Sequence, residues 1–105
     1  GYVAEMTADT GRARAGLRDR DTDALVLGAN LPTNDLARFI REVRTNPAVA
    51  GIPIVVIDAN DMNLRVEMLT AGADVCFPSE ISFREFKATL DALLRRREES
   101  APLGA

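Results

Sequence analysis

The sequence contains no histidine and only one cysteine, Cys76. Histidine is the side chain that most often exchanges protons near neutral pH and the commonest metal ligand, so its absence argues against zinc sites and catalytic triads. A lone cysteine cannot form a disulfide within the chain. Because Cys76 lies in an apolar segment, we expect its thiol to pack as a small hydrophobic group.

An excess of positive charge is also missing. The 13 Lys and Arg residues are outnumbered by 16 Asp and Glu residues, which gives a net charge of −3, and such a protein does not attract polyanions. Apolar residues make up 47% of the chain but form no run long enough to span a bilayer, and no signal-peptide pattern is present. We therefore expect a cytoplasmic protein that binds neither nucleic acid nor membranes.

The 105 residues fit one domain. Four apolar segments predict β-strands: Val3–Thr7, Ala24–Gly28, Ile52–Ile57 and Asp74–Phe77. A segment with helical features follows each strand, at about residues 9–18, 33–45, 61–70 and 83–97. We assign residues 1–97 to an α/β domain and residues 98–105 to a C-terminal tail or linker.

Capping residues mark the ends of the predicted helices. Asn60 or Asp61 precedes the third helix, and Ser82 with Glu85 forms a capping box before the fourth. Gly72 lies where a left-handed C-terminal cap is expected. The apolar faces predicted for the last three helices are Leu36, Phe39, Ile40 and Val43; Leu64, Met68 and Leu69; and Phe83, Phe86, Leu90, Leu93 and Leu94.

Four βα units in succession predict a parallel sheet covered by helices, with right-handed connections. In open α/β sheets, ligands bind where the strands end. The second predicted strand ends at Gly28, which offers no side chain for chemistry. Neither GxGxxG nor GxxxxGK[ST] occurs, so no local motif supports nucleotide binding.

Four stretches, in this order and spacing, resemble the receiver domains of bacterial two-component response regulators. They are GYVAEMTADTGRARAGL, DALVLGANLPTND, FIREVRTNPAVAGIPIVVIDAND and TAGADVCFP, the last followed by an amphipathic helix that ends in arginines. The resemblance extends from residue 1 to about residue 97. It implies a flavodoxin-like parallel sheet with flanking helices, whose first, central strand is absent from this chain.

The absent strand leaves two arrangements open. Either the Val3 strand pairs directly with the Ala24 strand in a four-stranded sheet, or a segment from a partner or a swapped copy inserts between them. Unpaired backbone groups at that place would cost about 1–3 kcal/mol each if buried. In receivers, the acidic pair that holds Mg²⁺ belongs to this same first strand.

The resemblance also places the positions of the phosphorylation site. Receivers are phosphorylated on an Asp four residues before the proline of a Leu-Pro pair, and here that position is Gly28. The position of the phosphate-binding Ser or Thr is Asp58, that of the lysine is Ser79, and that of the aromatic switch residue is Cys76. Glycine has no oxygen that could attack phosphorus, and the carboxylate of Asp58 would repel a phosphate. The resemblance therefore implies a vestigial phosphoacceptor pocket.

Asp58 has several interpretations. Its carboxylate could replace the missing phosphoacceptor, or provide a permanent negative charge that imitates the phosphorylated state. The interpretation that its residue type favours is a cap for the helix beginning near Asp61.

The resulting hypothesis is a phosphorylation-independent pseudo-receiver, a protein-interaction module of a bacterial regulatory protein with no enzymatic activity and no cofactor. We expect its partner to be a protein or a neighbouring domain of a larger polypeptide, and a homodimer remains open. The residues proposed for the partner face are Arg65, Glu80, Arg84, Lys87 and Asp91; an ordinary solvated surface explains them equally well. Two alternative functions are a flavodoxin-like domain that binds a nucleotide or other small ligand, and an assembly module completed by strand exchange in trans.

Overall fold

The computed structural model describes residues 4–7, 22–29 and 33–99. Its elements are, in chain order, β1 (Ala4–Thr7), β2 (Ala24–Gly28), α1 (Thr33–Thr45), β3 (Ile54–Ile57), α2 (Met62–Ala71), β4 (Val75–Cys76) and α3 (Phe83–Glu99). The helix predicted at about residues 9–18 lies outside the described residues, as do residues 100–105 of the predicted tail. None of the helices in the described ranges has the length and hydropathy of a membrane-spanning segment.

The strands form one sheet in the order β1-β2-β3-β4, and all neighbouring strands are parallel. Ala4 is the partner of Ala24, so β1 pairs directly with β2. Of the two arrangements that the resemblance left open, the structure has the four-stranded sheet. This pairing satisfies the backbone groups of β2 on both sides, as a buried strand requires.

β2 and β3 form the buried centre of the sheet. All five residues of β2 are buried, as are three of the four residues of β3. Successive side chains of a strand point to opposite faces. The first face presents Leu25, Leu27, Ile54 and Val56, and the second face presents Val26 and Val55. Because both faces are covered, these strands are apolar throughout, as the sequence predicted.

Helices α1 and α2 cover the first face. The predicted apolar stripe of α1 is confirmed, since all its members are buried: Leu36, Phe39, Ile40 and Val43. From α2, Met68 and Ala71 are buried and Leu64 is partly buried against the same core. Leu69 was predicted to face inward, but its exposed fraction is 46%. It follows Met68 by one position, which turns its side chain about 100° around the helix, away from the sheet.

Helix α3 packs on the second face. Its residues Phe86, Leu90 and Leu93 are partly buried against the core of Val26, Val55 and Phe77. Phe83 was predicted on the same apolar face but is 75% exposed. It is the first residue of the helix, where its ring reaches the ring of Phe86, with 6.3 Å between the centroids. The helix also extends to Glu99, beyond the boundary predicted at residue 97.

The predicted caps are present at both ends of α2 and at the start of α3. Asp61 caps α2 by accepting a hydrogen bond of 3.2 Å from the backbone N–H of Asn63. Gly72 ends the helix with a φ of +129°, a region that favours glycine. The hydroxyl of Ser82 accepts a bond of 3.1 Å from the backbone N–H of Glu85.

Two strands are shorter than predicted. β3 begins at Ile54 rather than Ile52, because the intervening Pro53 has no N–H to donate to a neighbouring strand. β4 contains only Val75 and Cys76. Its neighbours Asp74 and Phe77 still donate backbone hydrogen bonds to β3, but they lie outside the regular strand.

Candidate functional site

The candidate site lies at the carboxyl edge of the sheet, where the parallel strands all end. Gly28 is the last residue of β2 and is buried, and its partner is Ile57, the last residue of β3. Asp58 follows β3 directly, and Ser79 lies three positions after β4. The structure therefore places Gly28, Asp58 and Ser79 along one edge, in the order of their strands.

Asp58, Asn60 and Ser79 form a hydrogen-bonded cluster, which we call the edge network. The hydroxyl of Ser79 donates to Oδ1 of Asp58 at 3.0 Å. The side-chain amide of Asn60 donates to the same hydroxyl at 2.9 Å, and its Oδ1 accepts from the backbone N–H of Ser79 at 2.8 Å. The network joins the loop after β3 to the loop after β4.

Asp58 adopts a backbone conformation that is uncommon for residues other than glycine. Its φ is +60°, and it is the one non-glycine residue with positive φ among the residues that the structure describes. Such conformations cost about 1–3 kcal/mol and cluster at functional sites. The interpretation of Asp58 as a helix cap is wrong, because the cap of α2 is Asp61. The carboxylate of Asp58 binds Ser79 instead.

The edge network contains a single carboxylate and no cationic side chain. Its one charged group is the carboxylate of Asp58, and the chain's single lysine, Lys87, pairs with Asp91 in α3 at 2.8 Å. Within residues 4–7, 22–29 and 33–99, no group of three or more His, Cys, Asp or Glu side chains could hold a metal. Asp58 is the one acidic residue of the edge network, whereas receivers hold Mg²⁺ with an acidic pair, so the edge network does not fit that site.

Cys76 lies apart from the edge network. Its side chain packs against the core of the first face, and its thiol lies 3.9 Å from the carbonyl oxygen of Arg65. Burial raises the pKa of the Cys76 thiol from 9.0 to about 11, and the nearby Arg65 guanidinium offsets part of this rise. The group is therefore a protonated thiol at neutral pH.

The residues proposed as a partner face occupy two helices and a turn. Arg84, Lys87 and Asp91 lie at i, i+3 and i+7 on one exposed side of α3. Glu80 is exposed in the turn before α3. Arg65 belongs to α2 and is only partly exposed, because its guanidinium donates to the carbonyl oxygen of Ala59 at 2.8 Å. Their role in partner binding stays a prediction.

A cleft of about 250 Å³ opens beside the edge network and was not found from the sequence. We call it the aromatic cleft; its lining includes Ile57, Asp58, Ser79, Ile81, Phe83 and Phe86. One feature of the sequence indicated this cleft: apolar residues lie on both sides of the capping residue Ser82. Helical periodicity assigned Phe83 to the core and so concealed this signal.

Known proteins similar to this one match most of its length. No family model matches it. Over 97 residues the chain is 35% identical to response regulator MprA of Mycobacterium ulcerans. The aligned segment covers 91% of this chain and 41% of MprA. The chain thus spans less than half the length of this relative.

Solved structures of receiver domains have the same fold. The receiver domain of a sensor histidine kinase from Pseudomonas aeruginosa, solved with magnesium in its active-site cleft, has a TM-score of 0.70 and 26% identity. That likeness covers 85% of this chain and 74% of the other. The beryllofluoride-activated NtrC4 receiver domain dimer has a TM-score of 0.62 and 16% identity, covering 90% and 97% of the two chains.

Proposed function

Because the chain belongs to the receiver domains of response regulators, we propose that it works in two-component signalling as an interaction module that phosphorylation does not switch. Its partner in this proposal is a protein or a neighbouring domain of a longer bacterial regulator. The module performs no catalysis and acts in the cytoplasm.

The main support is the chemistry of the carboxyl edge. A phosphoacceptor needs a side-chain oxygen that attacks phosphorus, and a cation nearby lowers the cost of the incoming negative charge. Gly28 offers no such oxygen, and Ser79 is neutral where receivers have a lysine. The one carboxylate of the edge network, that of Asp58, already accepts a hydrogen bond from the hydroxyl of Ser79. This arrangement disfavours a phosphoryl group at the edge.

The test is incubation of the chain with Mg²⁺ and acetyl phosphate, followed by intact-mass spectrometry. We expect no mass increase of one phosphoryl group, whereas an ordinary phosphorylatable receiver treated in parallel is modified. In a second measurement, beryllofluoride with Mg²⁺ should leave the backbone amide NMR shifts unchanged. A stoichiometric phosphoryl adduct would contradict the proposal, and its loss in Asp58→Asn would identify Asp58 as a substitute acceptor.

Two alternatives receive less support. Pockets for small ligands have volumes of roughly 300–1,000 Å³, and the aromatic cleft has about 250 Å³, which is small for a nucleotide or flavin. Direct pairing of β1 with β2 leaves no gap between them for a strand donated in trans. Homodimerisation without strand exchange remains compatible with the proposal, and light scattering of the purified chain measures it directly.

A further inference from the structure

We propose that the aromatic cleft binds a peptide segment in which one large apolar side chain lies next to a lysine or arginine. This inference rests on the proposed role as an interaction module and adds the place of binding and the chemistry of the partner. The three arguments for it are the size of the cleft, its exposed aromatic wall and its single charge.

The volume of the cleft selects the kind of ligand. A space of about 250 Å³ lies below the range of roughly 300–1,000 Å³ typical of small-molecule sites. It accommodates one or two side chains rather than a cofactor. Peptide partners commonly anchor themselves in this way, through one large side chain in a pocket.

The wall of the cleft exposes a large apolar group that a partner could cover. Phe83 is 75% exposed, and its ring lies 6.3 Å from that of Phe86 at an angle of 35° between the planes. Phe86 in turn meets the buried ring of Phe77 edge to face, with 6.3 Å between the centroids. The exposed ring is therefore one end of a row of aromatic rings that begins in the core. An apolar side chain of the partner that covered Phe83 would extend this row of rings, and little conformational entropy of the rings would be lost.

The charge of the cleft selects the flanking residue of the peptide. Asp58 is the one ionisable residue among those that line the cleft. Its carboxylate is held in position by the hydroxyl of Ser79, and Glu80 adds a second negative charge next along the chain. Arg84 follows Phe83 by one position, which turns it about 100° around the helix from the ring. Lys87 lies one turn after Phe83, and its ammonium is paired with Asp91 at 2.8 Å. The polar end of the occupant should therefore be cationic.

A titration with two model peptides tests this inference. The probes are the acetylated amides Ac-Lys-Phe-Lys-NH2 and Ac-Glu-Phe-Glu-NH2, added to the ¹⁵N-labelled chain and followed by amide NMR shifts. We expect the basic peptide to move the amides of Ile57, Asp58, Ser79 and Phe83, and to bind at least about five-fold more tightly than the acidic peptide. Added salt should reduce this preference.

Two variants and their matched controls complete the test. Phe83→Ala and Asp58→Asn should each weaken binding of the basic peptide by about five-fold or more. Val66→Ala removes another exposed apolar side chain and Asp35→Asn another exposed carboxylate, and neither should change binding. Circular dichroism of each variant verifies that it is folded.

Three results would overturn the inference. They are equal affinity for the two peptides, shifts that map away from the cleft, and the absence of any shift up to millimolar peptide. None of them bears on phosphorylation, because the acetyl phosphate experiment measures that separately. If the peptide titration fails, the proposed function therefore still stands. If the chain is phosphorylated by acetyl phosphate, that result contradicts the proposed function and not the peptide binding.

Discussion

The guanidinium of Arg44 donates a hydrogen bond of 2.8 Å to the carboxylate of Asp74, which lies 30 positions further along the chain. The same carboxylate oxygen accepts the backbone N–H of Ile54 at 2.7 Å. Arg44 also donates to three backbone carbonyls: Gly72 at 2.8 Å, Ala50 at 2.9 Å and Ile52 at 2.6 Å. One arginine at the end of α1 thus connects the starts of β3 and β4 and the end of α2, at the edge of the sheet opposite the candidate site.

Replacing Arg44 with lysine should destabilise the domain. The planar guanidinium donates in several directions at once, whereas a lysine ammonium cannot reach all four acceptors. We expect Arg44→Lys to lower the free energy of unfolding by about 1–3 kcal/mol, measured by urea denaturation. Arg41→Lys, an exposed position on the same helix, is the control and should change it by less than about 0.5 kcal/mol. Equal effects of the two variants would contradict the role of Arg44.

Gly72 should not tolerate a side chain. A Cβ at this position would lie 2.6 Å from Cγ of Arg44, and its φ of +129° is rarely adopted by other residues. We expect Gly72→Ala to cost about 1–2 kcal/mol or more in unfolding free energy, because strain and the clash add. Gly51→Ala is the matched control, since a Cβ there meets nothing within 4 Å. Thermal denaturation of both variants distinguishes a local effect from a general intolerance of alanine.

The positive φ of Asp58 predicts an unusual order of stabilities. Asp58→Ala and Asp58→Gly both lose the hydrogen bond from Ser79. Only glycine relieves the backbone strain at φ +60°, so the glycine variant should be more stable than the alanine variant by about 1 kcal/mol. Urea denaturation of the two proteins measures this difference. If the alanine variant proves as stable as the glycine variant, the strained conformation assigned to Asp58 is wrong.

The raised pKa of Cys76 predicts how stability changes at alkaline pH. Burial raises the thiol pKa from 9.0 to about 11, so the thiol of the unfolded chain ionises first as the pH increases. Its contribution to stability is fully present below pH 9.0 and is lost as the pH rises to about 11. Urea denaturation at a series of pH values measures this loss of stability, which Cys76→Ala should not show. If the unfolding free energies of the two proteins change identically with pH, Cys76 makes no such contribution.

The same thiol should react slowly in the native protein. The thiolate is the nucleophile, and a raised pKa leaves little of it at neutral pH. Alkylation by iodoacetamide, followed by mass spectrometry, should therefore be much slower for the folded chain than for the chain in urea. Rapid native alkylation at neutral pH would show that the half-buried Cys76 thiol is more accessible or more ionised than the structure indicates.

Local patterns were sufficient to predict most of the elements of this fold. β2 was predicted with its observed bounds, and the stripe from Leu36 to Val43 was predicted as the buried face of α1. These predictions succeed because a strand or helix repeats its exposure every two or 3.6 residues, and that repeat is visible within a short segment. The caps at Asp61 and Gly72 are local as well, since their backbone bonds join residues at most four apart.

The sequence also located the ends of β1, β2 and β3. The resemblance added the positions of Gly28, Asp58 and Ser79 at one edge. The tertiary structure alone decided how those positions interact. Asp58 binds Ser79 across 21 positions and Arg44 binds Asp74 across 30, and Phe83 lies exposed in a cleft although its spacing fits the core face. Such contacts depend on which segments the sheet places side by side, and a local repeat contains no information about that placement.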